Sequence, residues 1–269
     1  MSVRQGGQST PATEGAEQPS GRRDPAARRR LKQQRLLIYG LLSIVLVAGA
    51  VVWAIALTQR HNQAAGILPR TSGLPAGIST RLANTMQLSA VPRPPAPGFR
   101  LTDQAGHTMS LASLRGKAVV LEFMDPHCTD ICPIVSREYL RAYHDLGPAA
   151  SKVVFVAVNV NQHYRSPQAV GKFSREQGLS TIPGWHFFTG PVPALHAVWH
   201  DYYIQVQAPN PNADIVHTSA VYFIDPQGRE RYLASPEVDH TKKGTAYLPA
   251  SQQAEWGHGI AVLARSLVG

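Results

Sequence analysis

Two cysteines, Cys128 and Cys132, are the residues whose type and spacing most directly suggest chemistry, and the chain has only these two. Pro133 follows the second one, and proline is favoured at the first position of a helix. The spacing therefore predicts a helix that begins at about Cys132 or Pro133, with both sulfurs within one turn of each other near its positive end. That position favours thiolate over thiol.

Two thiolates that converge on one point can do two kinds of chemistry. They form a soft chelate, which suits Cu(I), and they form a dithiol that can be oxidised to a disulfide. Cysteines this close along the chain cannot join distant parts of a fold, so a purely structural disulfide is disfavoured. The residues alone leave the metal site and the redox site both open.

The cysteine pair lies between a predicted buried strand and a predicted helix. Residues 118–123 (AVVLEF) form a short apolar run bounded by Gly and Pro, which is typical of a buried strand. Residues 134–146 carry apolar side chains at helical spacing, and residues 152–160 (KVVFVAVNV) predict the next strand. The cysteines therefore occupy a loop from strand to helix.

The rest of the domain continues this alternation. Hairpins are predicted at residues 99–110 and 216–233, a strand at 185–188, and helices at 166–177, 191–200 and 252–267. Alternating strands and helices imply right-handed crossovers and a central sheet covered on both faces. We predict an α/β fold, and the cysteine pair at the first strand-to-helix junction resembles the layout of thioredoxin.

The chain before this domain predicts a membrane anchor. An apolar run without charge begins at Leu36 and ends at Leu57, and as a helix it would span roughly 33 Å, enough to cross a hydrocarbon core of about 30 Å. A cleaved signal peptide is the alternative, but its apolar region is usually only about 7–15 residues long. We expect a single transmembrane helix that remains attached.

Charge predicts the orientation of this anchor. Residues 1–35 carry eight Lys or Arg against three acids, in a chain of net charge +9, and positive segments stay on the cytoplasmic side. We expect residues 1–35 to be a disordered basic cytoplasmic tail, 36–57 the transmembrane signal anchor, 58–96 a Pro-containing linker, and 97–269 a folded domain outside the cytoplasm. Nucleic-acid binding is disfavoured, because no aromatic residue or motif accompanies the charge.

The cysteine loop reads HCTDICP at residues 127–133 and resembles the Sco/SenC family of membrane-anchored copper proteins, which typically read HCPDVCP. The similarity extends upstream through FRLTDQAGHTMSLASLRGKAVVLEF and downstream to WHFFTG and HTSAVYFIDPQG. This resemblance implies a thioredoxin-like fold, with copper bound by Cys128, Cys132 and His217. It also implies that the protein delivers copper to, or prepares, the copper site of cytochrome c oxidase.

The same resemblance implies the partner and the location. The partner would be the copper subunit of cytochrome c oxidase or another extracytoplasmic copper protein. The composition favours a bacterium, with the domain attached to the plasma membrane by one span and the N-terminus in the cytoplasm. The identity of the partner and the copper oxidation state in the working cycle stay open.

His217 precedes the apolar segment AVYFI, and an imidazole there would complete a trigonal S₂N site that is reasonable for Cu(I). The alternative is a histidine that only caps or packs at a strand edge. The chain also departs from the family pattern, with Thr129 in place of proline, Val216 in place of an acid, and the segment MDP at 124–126 in place of an aromatic residue followed by threonine.

Other polar residues near the loop have structural interpretations. We expect His127 to be a partly exposed neighbour rather than a ligand, Asp130 to cap the helix, and Met124 to belong to the core. His196 and His200 are expected on a solvated or packed helix face. The long polar segment 203–216 leads into His217, and a loop of that length is often functional.

Two other functions use the same residues. A thiol-disulfide oxidoreductase acting on partner cysteines is favoured by the dithiol and the fold. It is disfavoured by the three-residue spacing and by Thr218, where such enzymes commonly have proline. A redox or copper sensor is the second alternative. Structural zinc is disfavoured because it normally takes four ligands.

Overall fold

The computed structural model describes residues 72–236, 238–242 and 245–269. The predicted tail, the anchor from Leu36 to Leu57 and the first part of the predicted linker lie outside these residues. Within the described ranges, no helix is both long enough and apolar enough to cross a membrane. The described residues belong to one compact unit.

A six-stranded sheet forms the centre of the domain. Its strands are β1 (Ser89–Ala90), β4 (Ala118–Met124), β5 (Val153–Asn159), β6 (Trp185–Phe188), β9 (Val221–Ile224) and β10 (Glu230–Ala234). They lie side by side in the order β1-β10-β9-β4-β5-β6. The strands β4, β5 and β6 run parallel, whereas β9 pairs antiparallel with β4 and β10. The predicted turn DPQG lies between β9 and β10. The described residues also form three two-stranded ribbons: β2 (Arg100–Thr102) with β3 (Thr108–Ser110), β7 (Val206–Gln207) with β8 (Val216–His217), and β11 (Asp239–His240) with β12 (Ala246–Tyr247).

In the part of the chain that the structure describes, five α-helices accompany the sheet: α1 (Thr80–Thr85), α2 (Ile131–Leu146), α3 (Pro167–Glu176), α4 (Val192–Asp201) and α5 (Ala250–Ser266). Side chains of β4 and β5 point alternately to the two faces. One face packs against residues of α1, α2, α3 and α5, and the other against α4 and the β2–β3 ribbon. The predicted α/β architecture, a central sheet flanked by helices, is therefore confirmed.

The helix that carries Cys132 is held firmly by the last helix of the chain. A Cβ atom built on Gly257 of α5 would lie 2.6 Å from Cβ of Arg141 and 3.0 Å from the carbonyl oxygen of Glu138, both in α2. Only glycine permits this close approach of the two helices. The contact fixes α2, and with it the position of Cys132.

Two differences from the expected elements concern the site and the domain boundary. The folded domain begins before residue 97, because α1 and β1 join it and Met86 is fully buried in its core. The segment 216–224 is not one strand: β8 and β9 are separate, and His217 pairs with Val206 instead of entering the central sheet. Short elements of this kind have little periodicity of their own, so a sequence pattern does not mark them.

Candidate functional site

The cysteine loop connects the end of β4 to the start of α2, as predicted, and it brings the two sulfurs together. Both cysteines are free thiols. Cys128 is half-buried in the loop, whereas Cys132 lies in the first turn of α2 and is only 3% exposed. The backbone N–H of Cys132 donates a hydrogen bond to Sγ of Cys128 over 3.3 Å.

The two thiols have opposite protonation tendencies. The pKa of Cys128 is lowered to about 7, chiefly by a hydrogen bond from the Cys132 side chain and also by the backbone N–H groups of Cys132 and Asp130, against the opposing effect of burial. The pKa of Cys132 is raised well above its usual value by the same side-chain hydrogen bond and by burial. The expectation that both sulfurs favour thiolate is therefore met by Cys128 alone, because Cys132 is sealed in the core.

His217 lies on β8, outside the cysteine loop, and is half-buried. Its Nδ1 is 3.0 Å from the carbonyl oxygen of Thr218, and since a carbonyl only accepts hydrogen bonds, Nδ1 carries the proton. Burial lowers the pKa of His217, while the Thr218 carbonyl and the charge of Asp125 oppose that shift. The ring is therefore neutral at pH 7, and the lone pair on Nε2 is available to a ligand.

The structure brings two of the three predicted ligands together. Among residues 72–236, 238–242 and 245–269, no group of three or more His, Cys, Asp or Glu side chains is arranged to hold a metal ion. Cys128 and Cys132 meet at the start of the helix. His217 lies on a separate ribbon, where the charge of Asp125 acts to raise its pKa. The ligand role of His217 stays a prediction.

A cavity of about 680 Å³ opens beside Cys128. Asp125, His127 and Cys128 line it from the cysteine loop, and residues 211–216 line it from the long polar loop that leads to His217. The long polar loop therefore borders the thiol.

Other residues singled out in the sequence have the following positions. Met124 is buried in the core, as predicted. The imidazole of His127 stacks on Tyr164 with ring centroids 3.7 Å apart. His196 contacts Gln162 and His200 contacts Asp201, so these two histidines do not form a pair.

Asp130 corrects the expectation of a helix cap. It occupies the N-cap position of α2, but its side chain accepts no hydrogen bond from the helix. Its Oδ1 accepts instead from the backbone N–H of Ala246 on β12, over 3.0 Å. Sγ of Cys128 accepts the hydrogen bond from the backbone N–H of Cys132. A capping side chain would otherwise accept that hydrogen bond.

Sequence reasoning missed Asn161, a buried residue hydrogen-bonded to Asp125 at the edge of the site. The available signal was two asparagines, at 159 and 161, at the end of a buried strand. Their pairing with the cysteine loop depends on the tertiary fold.

Comparisons with known proteins identify relatives of this chain. A family model described as SCO1/SenC matches residues 91–246. A SCO1 protein homolog of Bacillus subtilis is 24% identical over 133 residues, which cover 49% of this chain and 68% of the relative.

Solved structures are similar at the level of the fold. Apo Sco1 from Thermus thermophilus is 22% identical, with a TM-score of 0.51, over 66% of this chain and 93% of the other. Copper-bound ScoI from Bradyrhizobium japonicum is 22% identical, with a TM-score of 0.49, over 65% of this chain and 99% of the other. The first of these likenesses shows a shared fold.

Proposed function

The chain belongs to the SCO1/SenC family, and on this premise we propose that it binds copper through Cys128 and Cys132, with His217 as third ligand. The bound ion is cargo that the protein delivers to, or uses to prepare, a copper site in another protein. We propose the copper subunit of cytochrome c oxidase as that recipient.

The observation that carries this proposal is the arrangement of the two sulfurs at the start of α2. The backbone N–H of Cys132 holds Sγ of Cys128 over 3.3 Å at the first turn of α2, and the Cys132 side chain donates a hydrogen bond to the same sulfur. Two sulfur donors within one turn suit a soft monovalent ion better than a hard cation, which prefers oxygen ligands.

His217 supports a third ligand through its protonation state. Its Nδ1 proton is engaged by the Thr218 carbonyl, so Nε2 is the nitrogen free to bind. Metal-bound histidines commonly donate their other N–H to a carbonyl in this way, which fixes the tautomer. The described residues do not hold these three side chains in a metal-binding arrangement, so binding through all three would require a rearrangement of the site.

The location is proposed from the sequence. The apolar run from Leu36 to Leu57 and the basic residues before it support a single-pass anchor in the plasma membrane, with the domain on the outer side. An outer location suits both copper delivery and reversible oxidation of the cysteine pair.

The experiment is a titration of the reduced full-length chain with Cu(I) against a chromophoric Cu(I) chelator. We expect one Cu(I) per chain and no binding after Cys128→Ser or Cys132→Ser. His217→Ala should weaken binding by at least the roughly 10–100-fold that loss of an outer partner of a metal site costs. His200→Ala is the matched control, because His200 is exposed and contacts Asp201. The proposal would be contradicted if the wild-type chain does not bind Cu(I), or if His217→Ala binds Cu(I) with the same affinity as the wild type.

One observation favours a second function, thiol-disulfide exchange. A half-exposed thiol with a pKa of about 7 beside a buried thiol that keeps its proton is the arrangement of an attacking and a resolving cysteine. An oxidoreductase would reduce insulin disulfides with turnover and would tolerate His217→Ala. Brisk turnover without Cu(I) binding would favour this function over copper delivery.

A further inference from the structure

A buried polar cluster lies at the carboxyl ends of β4, β5 and β6, next to the cysteine loop. Its members are Asp125, Asn159, Asn161 and Thr189, and each is at most 6% exposed. Buried polar side chains need hydrogen-bond partners. The partners within this cluster connect the cysteine loop to the loop that follows β5.

Asn161 has a fixed orientation within the cluster. Its Oδ1 accepts hydrogen bonds from the backbone N–H groups of His163, over 2.9 Å, and Tyr164, over 3.2 Å. Because the oxygen is identified by these donors, the nitrogen must face the other way. Nδ2 donates to Oδ1 of Asp125 over 2.9 Å.

Asp125 carries this connection into the turn that holds Cys128. Its Oδ1 also accepts from the backbone N–H of His127, over 2.8 Å. Its carbonyl oxygen accepts from the backbone N–H of Cys128, over 3.2 Å. We call the hydrogen bond between Asn161 and Asp125 the Asp125–Asn161 latch.

A stacking contact between His127 and Tyr164 also connects the cysteine loop to the loop after β5. The His127 ring stacks on Tyr164 at an angle of 18° between the planes. The carbonyl oxygen of Tyr164 in turn accepts from Nδ2 of Asn159, which also lies 3.1 Å from Oγ1 of Thr189. The loop after β5 is therefore held by the ends of β5 and β6.

The two sulfurs consequently have separate supports. Cys132 is part of α2, which packs against α5. Cys128 is attached to the turn that the latch holds. The distance between the sulfurs therefore depends on the latch as well as on the helix.

We propose that Asn161 is a positioning residue for the cysteine pair: acting through Asp125, it holds the Cys128 turn where both sulfurs bind one Cu(I) ion. This inference rests on the proposed copper function. The latch requires one amide and one carboxylate at positions 125 and 161. Two buried carboxylates in contact would repel each other.

The test compares single and exchanged variants of the reduced full-length chain. Asn161→Asp should weaken Cu(I) binding roughly 10–100-fold, the usual cost of losing an outer partner of a metal site. Asp125→Asn combined with Asn161→Asp restores one amide and one carboxylate and should recover most of the affinity. Asn161→Ala removes the donor without adding charge, and serves if Asn161→Asp does not fold.

Asn210→Asp is the control for charge, because Asn210 is an exposed residue of the 203–216 loop and the aspartate keeps its acceptor for the Asn212 N–H. The free energy of unfolding is measured alongside the affinity. If Asn161 has a purely structural role, its replacement would lower the free energy of unfolding and the Cu(I) affinity together. If Asn161 positions the cysteine pair, its replacement would lower the Cu(I) affinity at equal stability. Unchanged affinity in Asn161→Asp and Asn161→Ala, or an exchanged variant no better than the single one, would overturn the inference.

A second measurement separates this inference from the copper proposal. In a glutathione redox buffer, the two thiols lose two electrons and two protons to oxidised glutathione, which becomes two molecules of reduced glutathione. The equilibrium constant for this step depends on the placement of the sulfurs but not on copper. If the wild-type chain does not bind Cu(I), the proposed function in copper delivery is wrong. The latch is then supported if Asn161→Asp shifts this constant and the exchanged variant restores it, and overturned if neither variant has an effect.

Discussion

Replacing Glu122 by Gln should make the domain's stability less dependent on pH. Glu122 lies on β4, in the middle of the sheet, and is 4% exposed. Its Oε2 has no hydrogen-bond partner among the residues that the structure describes. Burial raises the pKa of Glu122 to about 8, although the hydroxyl of the buried Tyr139 opposes the shift. The folded domain therefore keeps a proton on this carboxyl at neutral pH.

The magnitude follows from the difference between the folded and unfolded states. The unfolded chain loses this proton near pH 4.5, whereas the folded chain loses it near pH 8. A group whose pKa is raised by folding stabilises the fold fully below the unfolded pKa, and that stability is lost as the pH rises through the folded pKa. The loss is about 1.4 kcal/mol per pH unit, so Glu122 should lower the free energy of unfolding by about 2.5 kcal/mol between pH 5 and pH 7.

The assay is urea unfolding of the reduced chain at pH 5, 6 and 7, followed by the fluorescence of the buried Trp185 and Trp256. The measured quantity is the difference in unfolding free energy between wild type and Glu122→Gln. This difference should move in favour of the variant as the pH rises, whatever its value at pH 5.

Glu138 on α2 has the same character, since burial raises its pKa to about 9 with help from the charge of Glu122. Glu122→Gln should therefore remove only part of the wild-type pH dependence. Glu176→Gln, at an exposed position of α3, is the matched control and should show no comparable trend. A difference between wild type and Glu122→Gln that is the same at pH 5 and pH 7 would refute the reasoning.

Two further predictions concern the cysteine loop. Cys132→Ala should raise the pKa of Cys128 above 7, because the hydrogen bond from the Cys132 side chain is the largest cause of the lowered pKa. The pH profile of alkylation by iodoacetamide measures this pKa. A profile that does not shift in the variant would contradict the prediction. Asp130→Ala should speed hydrogen exchange at the Ala246 amide and cost about 1 kcal/mol of stability, because Oδ1 of Asp130 accepts that N–H. Unchanged protection of Ala246 would show that this bond does not hold β12.

The central part of the fold was predictable because its signals are local. The runs AVVLEF and KVVFVAVNV correspond to β4 and β5, each buried along its whole length. The cysteine loop follows from Pro133 and from the change to helical spacing. By contrast, α1 and β1 fall in a segment with scattered apolar residues, and only their contacts with α5 and β10 make them part of the core.

Parts of the site depend on contacts that a sequence does not display. Asp130 has the residue type and position of a helix cap, yet the nearby N–H of Ala246 competes for its carboxylate, and Sγ of Cys128 accepts from the helix instead. Glu122 occurs within an apolar run, but its raised pKa results from the residues that cover it. The partner of Asp130 lies 116 residues further along the chain.

The unequal pKa values of the two thiols connect both proposed functions. A thiol binds a metal as thiolate, so uptake of Cu(I) would require Cys132 to release the proton that its burial favours. The same burial protects Cys132 from outside reagents and leaves Cys128 as the first sulfur that a metal donor or a disulfide meets. A site of this kind would take up its ligand in two steps, first at Cys128 and then at Cys132, and the second step would depend on how closely the Asp125–Asn161 latch holds the first sulfur to the helix.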